Sequence, residues 1–447
     1  MRSHRSTSRG TYLVLLLAGA VVACSDATPP APAGRFARIQ SEILDGSCAG
    51  CHDNSANPAA GLSLTAGHSL ANLVGSATTN DDARADGLKR ITPSSPEMSL
   101  LYRKLSFTGW PAGRNYGSPM PLGLPSLSIG QMEFVRQWIA AGAPLAGEVV
   151  KDTMLLRDQT RPAEVAFTAL APPAQGVQLH IDQFGITPKF ERELFLRRNL
   201  NNAADLYITR IETKMRVNSH HFLLYTFQPT IPAIIVPAPD VVRDIRNPDG
   251  SMIFANMLVM GYHVFFAGSM TQTSDYRFPA GVALKVPANA TFDLNSHFIN
   301  KSTASIVGEA YANLHTVDRS QVQRVASTLN MANTSLTLPP GQRTTITKTF
   351  LVDSTITVFM LTSHMHARGE KFVVKISGGA RNGQVVYENI DWEHPAITNL
   401  ATPLVLQKGE GLTSEVTYNN TTTRTIVFGL TSEDEMDIIF GYYYGGT

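Results

Sequence analysis

Leu206-Tyr207-Ile208-Thr209-Arg210-Ile211-Glu212-Thr213 decides the fold class of most of this chain. It is short, rich in β-branched and aromatic residues, and reads as a strand. Gly176-Val177-Gln178-Leu179-His180-Ile181, Phe222-Leu223-Leu224-Tyr225-Thr226-Phe227 and Gly281-Val282-Ala283-Leu284-Lys285-Val286 repeat the texture. Turn signals separate them: Pro237-Ala238-Pro239, Asn247-Pro248-Asp249-Gly250 and Pro287-Ala288-Asn289. The pattern runs from about residue 150 to the end with no strong helix, which implies antiparallel sandwich architecture. Two all-β sandwiches fill that length better than one, with the boundary near 315–328, giving domains 150–318 and 319–447.

The segment before residue 150 has a different texture. Residues 37–147 read as a small all-α domain. Phe36 to Ile43 is an amphipathic start, Pro96 to Leu105 a second helix, and Ser128 to Ala141 a third, ending near Gly142. A length of 447 residues suits about three domains. With 43% hydrophobic and 16% charged residues the chain buries real cores. A net charge of +1 gives no field to favour nucleic acid, so none is expected as a partner.

Residues 1–23 read as an export signal: Arg2, Arg5 and Arg9, then an apolar run from Thr11 to Val22. His4 falls inside it. Val21-Val22-Ala23-Cys24 is similar to the lipobox of bacterial lipoproteins, which makes Cys24 the lipidation site. The alternative is ordinary secretion. The apolar run is shorter than the ~20 residues of a spanning helix. Residues 24–36 read as an extended linker rich in Pro and Ala. The expected location is the periplasmic side of a bacterial membrane, lipid-anchored, with Ser25 pointing to the outer one.

Cys48-Ala49-Gly50-Cys51-His52 has the spacing of a c-type haem attachment, with two thioether bonds to the cysteines and one axial position for His52. A Cys-x-x-Cys redox pair or half of a zinc site is the alternative. Met120, in the loop Gly117-Ser118-Pro119-Met120-Pro121 before the final helix, is the expected second axial ligand. Met98 and Met132 sit on presumed helices and read as packing residues. Met/His ligation raises the haem potential, which suits electron transfer. Residues 37–147 resemble the small cytochrome c modules fused to bacterial enzymes.

Three further histidine elements follow in order: His220-His221, His297 and Thr362-Ser363-His364-Met365-His366. Glu435-Met436 adds a thioether. If Val358 to Ala367 is a strand, His364 and His366 point to one face. Adjacent His220 and His221 meet one metal only at a bulge or strand end. A thioether beside imidazoles points to copper, Cu(I) in particular. Taken singly, each of these elements also has a structural explanation, as a solvated face or a satisfied core histidine.

The order of the pieces resembles the copper type II, ascorbate-dependent monooxygenases, which include dopamine β-hydroxylase and peptidylglycine α-hydroxylating monooxygenase. Asn218-Ser219-His220-His221-Phe222-Leu223-Leu224-Tyr225, Phe278-Pro279-Ala280-Gly281 ahead of His297, Glu415-Val416-Thr417-Tyr418-Asn419 and the run from Thr431 to Met436 carry the resemblance, which covers roughly residues 176–447. It implies two jelly-roll sandwiches with two copper ions facing across a cleft. His220, His221 and His297 would hold the copper that stores and passes an electron. His364, His366 and Met436 would hold the copper where O2 is activated and a substrate C–H bond is hydroxylated. The implied partners are a small-molecule substrate, O2 and an electron donor, either ascorbate or a periplasmic redox protein. The covalent haem c would feed the first copper. Two departures stand out. Asp437 occupies the place of a usual cysteine, and Thr362 stands where peptide-amidating members carry arginine, which argues against peptide amidation. A non-catalytic electron-relay or copper-handling lipoprotein is the alternative, and a zinc hydrolase lacks its H-E-x-x-H signature. Of the remaining histidines, His68, His180 and His315 read as structural. His263 is a candidate to orient a ligand, and His394, in Asp391-Trp392-Glu393-His394-Pro395, reads as a turn residue with ligand orientation as the alternative.

Overall fold

The computed structural model describes residues 34–55, 58–112, 114–163, 166–392, 395–429 and 434–445. The export signal, Cys24 and His394 lie outside the described residues.

Residues 35–140 carry short helices, of which Ile129–Ala140 is the longest. Ser128 opens it with a capping box: its hydroxyl accepts from the Gln131 amide at 3.0 Å, and the Gln131 side chain accepts from the Ser128 amide at 2.9 Å. Phe134, Val135, Trp138 and Ile139 of that helix bury against Phe36, Ile39 and Ile43, with the Phe36 and Trp138 rings 5.3 Å apart. The continuous helix expected over Pro96 to Leu105 is broken into Pro96–Met98 and Leu100–Leu105. Ser99 is extended between them, and its hydroxyl bonds to the Thr92 amide and the Ser95 carbonyl, which competes with helix formation.

Ten strands follow: β1 (Gly176–Ile186), β2 (Phe190–Asn199), β3 (Leu206–Met215), β4 (Ser219–Phe227), β5 (Val242–Asp244), β6 (His263–Ser269), β7 (Thr273–Arg277), β8 (Val282–Val286), β9 (Thr291–Asn300) and β10 (Ile306–Val317). Ten more complete the chain: β11 (Arg324–Ala332), β12 (Thr337–Leu338), β13 (Gln342–Leu351), β14 (Ile356–His364), β15 (Gly369–Ser377), β16 (Val385–Asn389), β17 (Thr398–Leu406), β18 (Gly411–Asn420), β19 (Ile426–Val427) and β20 (Ile438–Gly445). A five-stranded sheet has the order β5-β2-β9-β4-β6, and a four-stranded sheet the order β13-β18-β15-β16. Each packs on one end of a single nine-stranded sheet, β1-β10-β3-β8-β11-β20-β14-β17 with β7 beside β3.

That shared sheet means that the two sandwiches are fused at their edges. β8 and β11 pair in parallel through Val282 to Leu284 and Arg324 to Ala326. The pairing satisfies backbone groups that two detached sandwiches would leave as open edges. Side chains reinforce it. Phe359, Met360 and Tyr442 of the second half lie in the core of the first, and the Tyr442 hydroxyl donates to the Phe266 carbonyl.

Strand alternation then sets the polarity of the five-stranded sheet. Phe222 and Leu224 of β4, and Phe292 and Leu294 of β9, enter the core. Asp293, Asn295 and His297 alternate with them and so share the opposite face.

Candidate metal centres

The first centre is built at a β-bulge. β4 pairs with β9 through Ser219↔Phe298 and His221↔His297, which leaves His220 as the extra residue. The bulge turns both adjacent imidazoles the same way. Nδ1 of His220 lies 3.1 Å from Nδ1 of His221. Ligand atoms of His220, His221 and His297 all fall within 4.8 Å of one another.

Acceptors back these rings. Nε2 of His221 bonds to Asn295 Oδ1 at 2.6 Å and lies 3.7 Å from the Glu193 carboxylate. Nε2 of His297 lies 3.8 Å from Glu191. The His297 hydrogen bond, assisted by Lys301, holds Glu191 down to about 2. Burial pushes Glu193 up, but the His221 hydrogen bond and the charges of His297 and His221 overcome it and leave that carboxyl at about 2. Such acceptors fix ring orientation and tautomer. With Nε2 committed to Asn295, His221 offers Nδ1 to a metal.

The second centre is assembled differently. The strand expected over Val358 to Ala367 stops at His364, because β20 stops pairing there, at His364↔Ile438. Strand alternation therefore does not place His366; a carboxylate does. Glu435 accepts from the amides of His366 (2.8 Å), Arg368 (2.7 Å) and Met436 (3.3 Å). The His366 ring donates from Nδ1 to the Asp434 carbonyl at 3.0 Å. The His364 and His366 rings stand 5.0 Å apart and nearly perpendicular. Met436 is buried beside this turn, with the Tyr418 hydroxyl on its carbonyl at 2.6 Å.

Burial, then the charges of His366 and of His221 from the first centre, depress His364 to about 3, so that ring is neutral and ready to donate a lone pair. Burial pushes Glu435 up to about 7, against three amide donors that favour its ionised form. Asp437, at the place of the expected cysteine, accepts from Asn333 and Ser414 and so secures the Met436 backbone without a covalent link.

A third set of residues lines a cavity of about 1230 Å³, shared by Cys48, Cys51, His52, Met120, His220 and Trp392 among others. Its volume lies above the ~300–1,000 Å³ of ordinary ligand pockets. Cys48 and Cys51 both present thiols, and burial together with Cys51 pushes the Cys48 thiol up to about 12. His52 Nδ1 faces the carbonyls of Ala59 (2.9 Å) and Leu62 (3.1 Å), so Nε2 is the ring nitrogen outside these two contacts. Lys104 clasps the Met120 loop: its carbonyl accepts from the Met120 amide at 3.0 Å, and its ammonium donates to the Ser118 carbonyl at 2.9 Å.

Residues 327–447 match the family model of the copper type II ascorbate-dependent monooxygenase C-terminal domain. The matched region contains His364, His366 and Met436. Among solved structures the chain is similar to an archaeal virus protein described by its triple jelly roll fold, at 7% identity over 61% of this chain and 59% of that one, TM-score 0.18. It is also similar to the major capsid protein P2 of bacteriophage PM2 (10% identity, 58% of this chain, 98% of that one, TM-score 0.20) and to the STIV MCP (9%, 60%, 95%, 0.25). The chain thus spans about three fifths of the first of these. Scores this low carry no functional argument, and the monooxygenase match stands by itself.

Among the described residues, the remaining histidines have other partners. His180 stacks on Tyr311, and His315 bonds to Glu212. His263 bonds to the buried Asp293 at 2.8 Å and stacks on Tyr225. Met98 and Met132 do not line the cavity with His52. Sequence reasoning missed Glu191, Glu193 and Asn295. The alternation Asp293-x-Asn295-x-His297 was the available signal, since three polar residues at period two share a face.

Proposed function

We propose that this chain is a copper-dependent monooxygenase that hydroxylates a C–H bond of a small substrate and receives its electrons through a c-type haem. The bulged His220-His221 pair converging with His297 carries the reading, and the family match over the other triad supports it. The balance is substrate C–H plus O2, two electrons and two protons, giving C–OH and water. An ascorbate-class or protein donor supplies the electrons one at a time.

The donor sets fit the groups. Bound copper supplies one-electron redox chemistry and activation of O2. His220, His221 and His297 would hold one ion, with Asn295 fixing His221. His364, His366 and Met436 would hold the other, the thioether favouring Cu(I). Haem supplies electron storage. Cys48 and Cys51 would tether it, His52 and Met120 would ligate its iron, and the cavity would exclude bulk water. Thr362, buried beside the second centre, offers no cation for a peptide carboxylate. Export and lipid attachment at Cys24, on the periplasmic face of a bacterial membrane, complete the proposal.

The test is metal and haem content of protein matured in a copper-rich periplasm, then substrate-dependent O2 uptake. Two coppers per haem with O2 uptake on some substrate is the expected result. Haem with zinc, or copper and haem with no O2 uptake across a substrate screen, would leave the electron-relay alternative.

A further inference from the structure

The Met120 loop and the first histidine centre meet at one point. Three residues after Met120, the Gly123 amide donates to Asn218 Oδ1 at 2.9 Å. The Gly123 carbonyl in turn accepts from the Lys301 amide at 2.8 Å. Asn218 lies two residues before His220, and Lys301 four after His297. The Asn218 carbonyl accepts from the Ile299 amide at 3.0 Å, which closes the set on β9.

The backbone at this point is specialised on both sides. Asn218 has φ 69, a left-handed conformation that asparagine tolerates better than most residues. Gly123 has φ +73, and a Cβ there would sit 3.0 Å from the Ile299 carbonyl oxygen. Only glycine allows this approach without displacing β9. The cavity that holds Cys48, Cys51, His52 and Met120 also reaches Glu191, His220, Ile299 and Lys301. The two centres therefore share a wall as well as a hydrogen-bonded seam.

We propose that the Gly123–Asn218 contact is the electron bridge from the haem ligand loop to the His220/His221/His297 centre. This rests on the haem-and-copper reading above. One electron leaves ferrous haem, which becomes ferric, and reduces a cupric ion at the first centre to cuprous. No bond is made or broken, and no proton crosses the contact. An ascorbate-class or protein one-electron donor re-reduces the haem.

The experiment uses full-length protein loaded with haem and copper, without substrate or O2. The haem is reduced by a light pulse, and its reoxidation is followed in the visible spectrum alongside loss of the cupric EPR signal. Asn218→Gly keeps the left-handed backbone and removes the acceptor oxygen. Asn218→Asp restores an acceptor. Gly123→Ala strains the seam from the other side. Asn218→Gly and Gly123→Ala are each expected to slow internal transfer about tenfold or more, as small displacements of positioned groups do. Asn218→Asp should recover most of the rate, while direct reduction of copper by excess small-molecule reductant stays unchanged in all three. Wild-type transfer with an unaltered rate in Asn218→Gly overturns the bridge and leaves the haem supply standing. No transfer in the wild-type protein overturns both.

Discussion

The two histidine centres are made by opposite means. The first is written into a sheet: three rings stand on paired strands, and Glu191, Glu193 and Asn295 back them from the same face. The second is a crossing of two chain segments past the ends of β14 and β20, tied among the described residues by the Glu435 carboxylate and the Asp434 carbonyl. A sheet-borne centre is preorganised by many bonds, so one deletion perturbs it modestly. A centre in which one carboxylate receives three backbone amides is sensitive to that group. A metal that stays fixed while passing electrons suits the first design, and one that exchanges ligands with O2 suits the second.

This contrast can be broken at four points. Met436→Ala should abolish most hydroxylation, by roughly 100-fold or more, at the upper end for loss of metal-site groups. Total copper should fall much less, and turnover with copper analysis of the same sample checks it. Survival of activity would remove Met436 from the second centre. Glu435→Gln should weaken copper at the second centre by about 10–100-fold and leave one copper per chain bound at the first. Copper titration against a competing chelator reads the two affinities, and equal weakening at both would dissolve the distinction. Asn295→Ala should cost the first centre about 10-fold in copper affinity, the lower end of the same range, because Glu193 still backs His221. An EPR spectrum of the cupric protein would show whether His221 has turned.

The smallest effect is expected away from both centres. Tyr442→Phe removes the hydroxyl that donates to the Phe266 carbonyl across the two halves. It should lower stability by about 1–3 kcal/mol, the cost of leaving a buried acceptor unpaired. Urea unfolding would measure it. A single cooperative transition is expected in variant and parent alike, since the halves share a core. Two separated transitions would show that the fused sheet does not couple them.

Much of this was legible in the residues. Leu206 to Thr213 announced a strand because β-branched and aromatic side chains at short range need nothing but a pleated surface. That His220 and His221 could share one metal only at a bulge or a strand end followed from the two-residue period, and the structure has a bulge there. The strand expected through His364-x-His366 was too long for a physical reason: the same period suggested one continuous strand, but strand length is set by the partner, and β20 ends its pairing at His364. The roles of Glu435 and Asp437 were hidden because, the Met436 amide apart, their donors come from residues more than twenty positions away.

The sequence by itself determined which donors this protein carries and on what local backbone. Imidazoles, a thioether and a Cys-x-x-Cys-His turn are chemistry that each residue brings alone, and strand period and turn residues act over a few positions. Only the tertiary structure decided that the two sandwiches fuse through β8 and β11, that one carboxylate gathers His366 and Met436, and that Gly123 touches Asn218. Those outcomes depend on which distant backbone amide finds which acceptor once the cores close. No local pattern encodes that choice, because burial drives it and burial is a property of the whole folded chain.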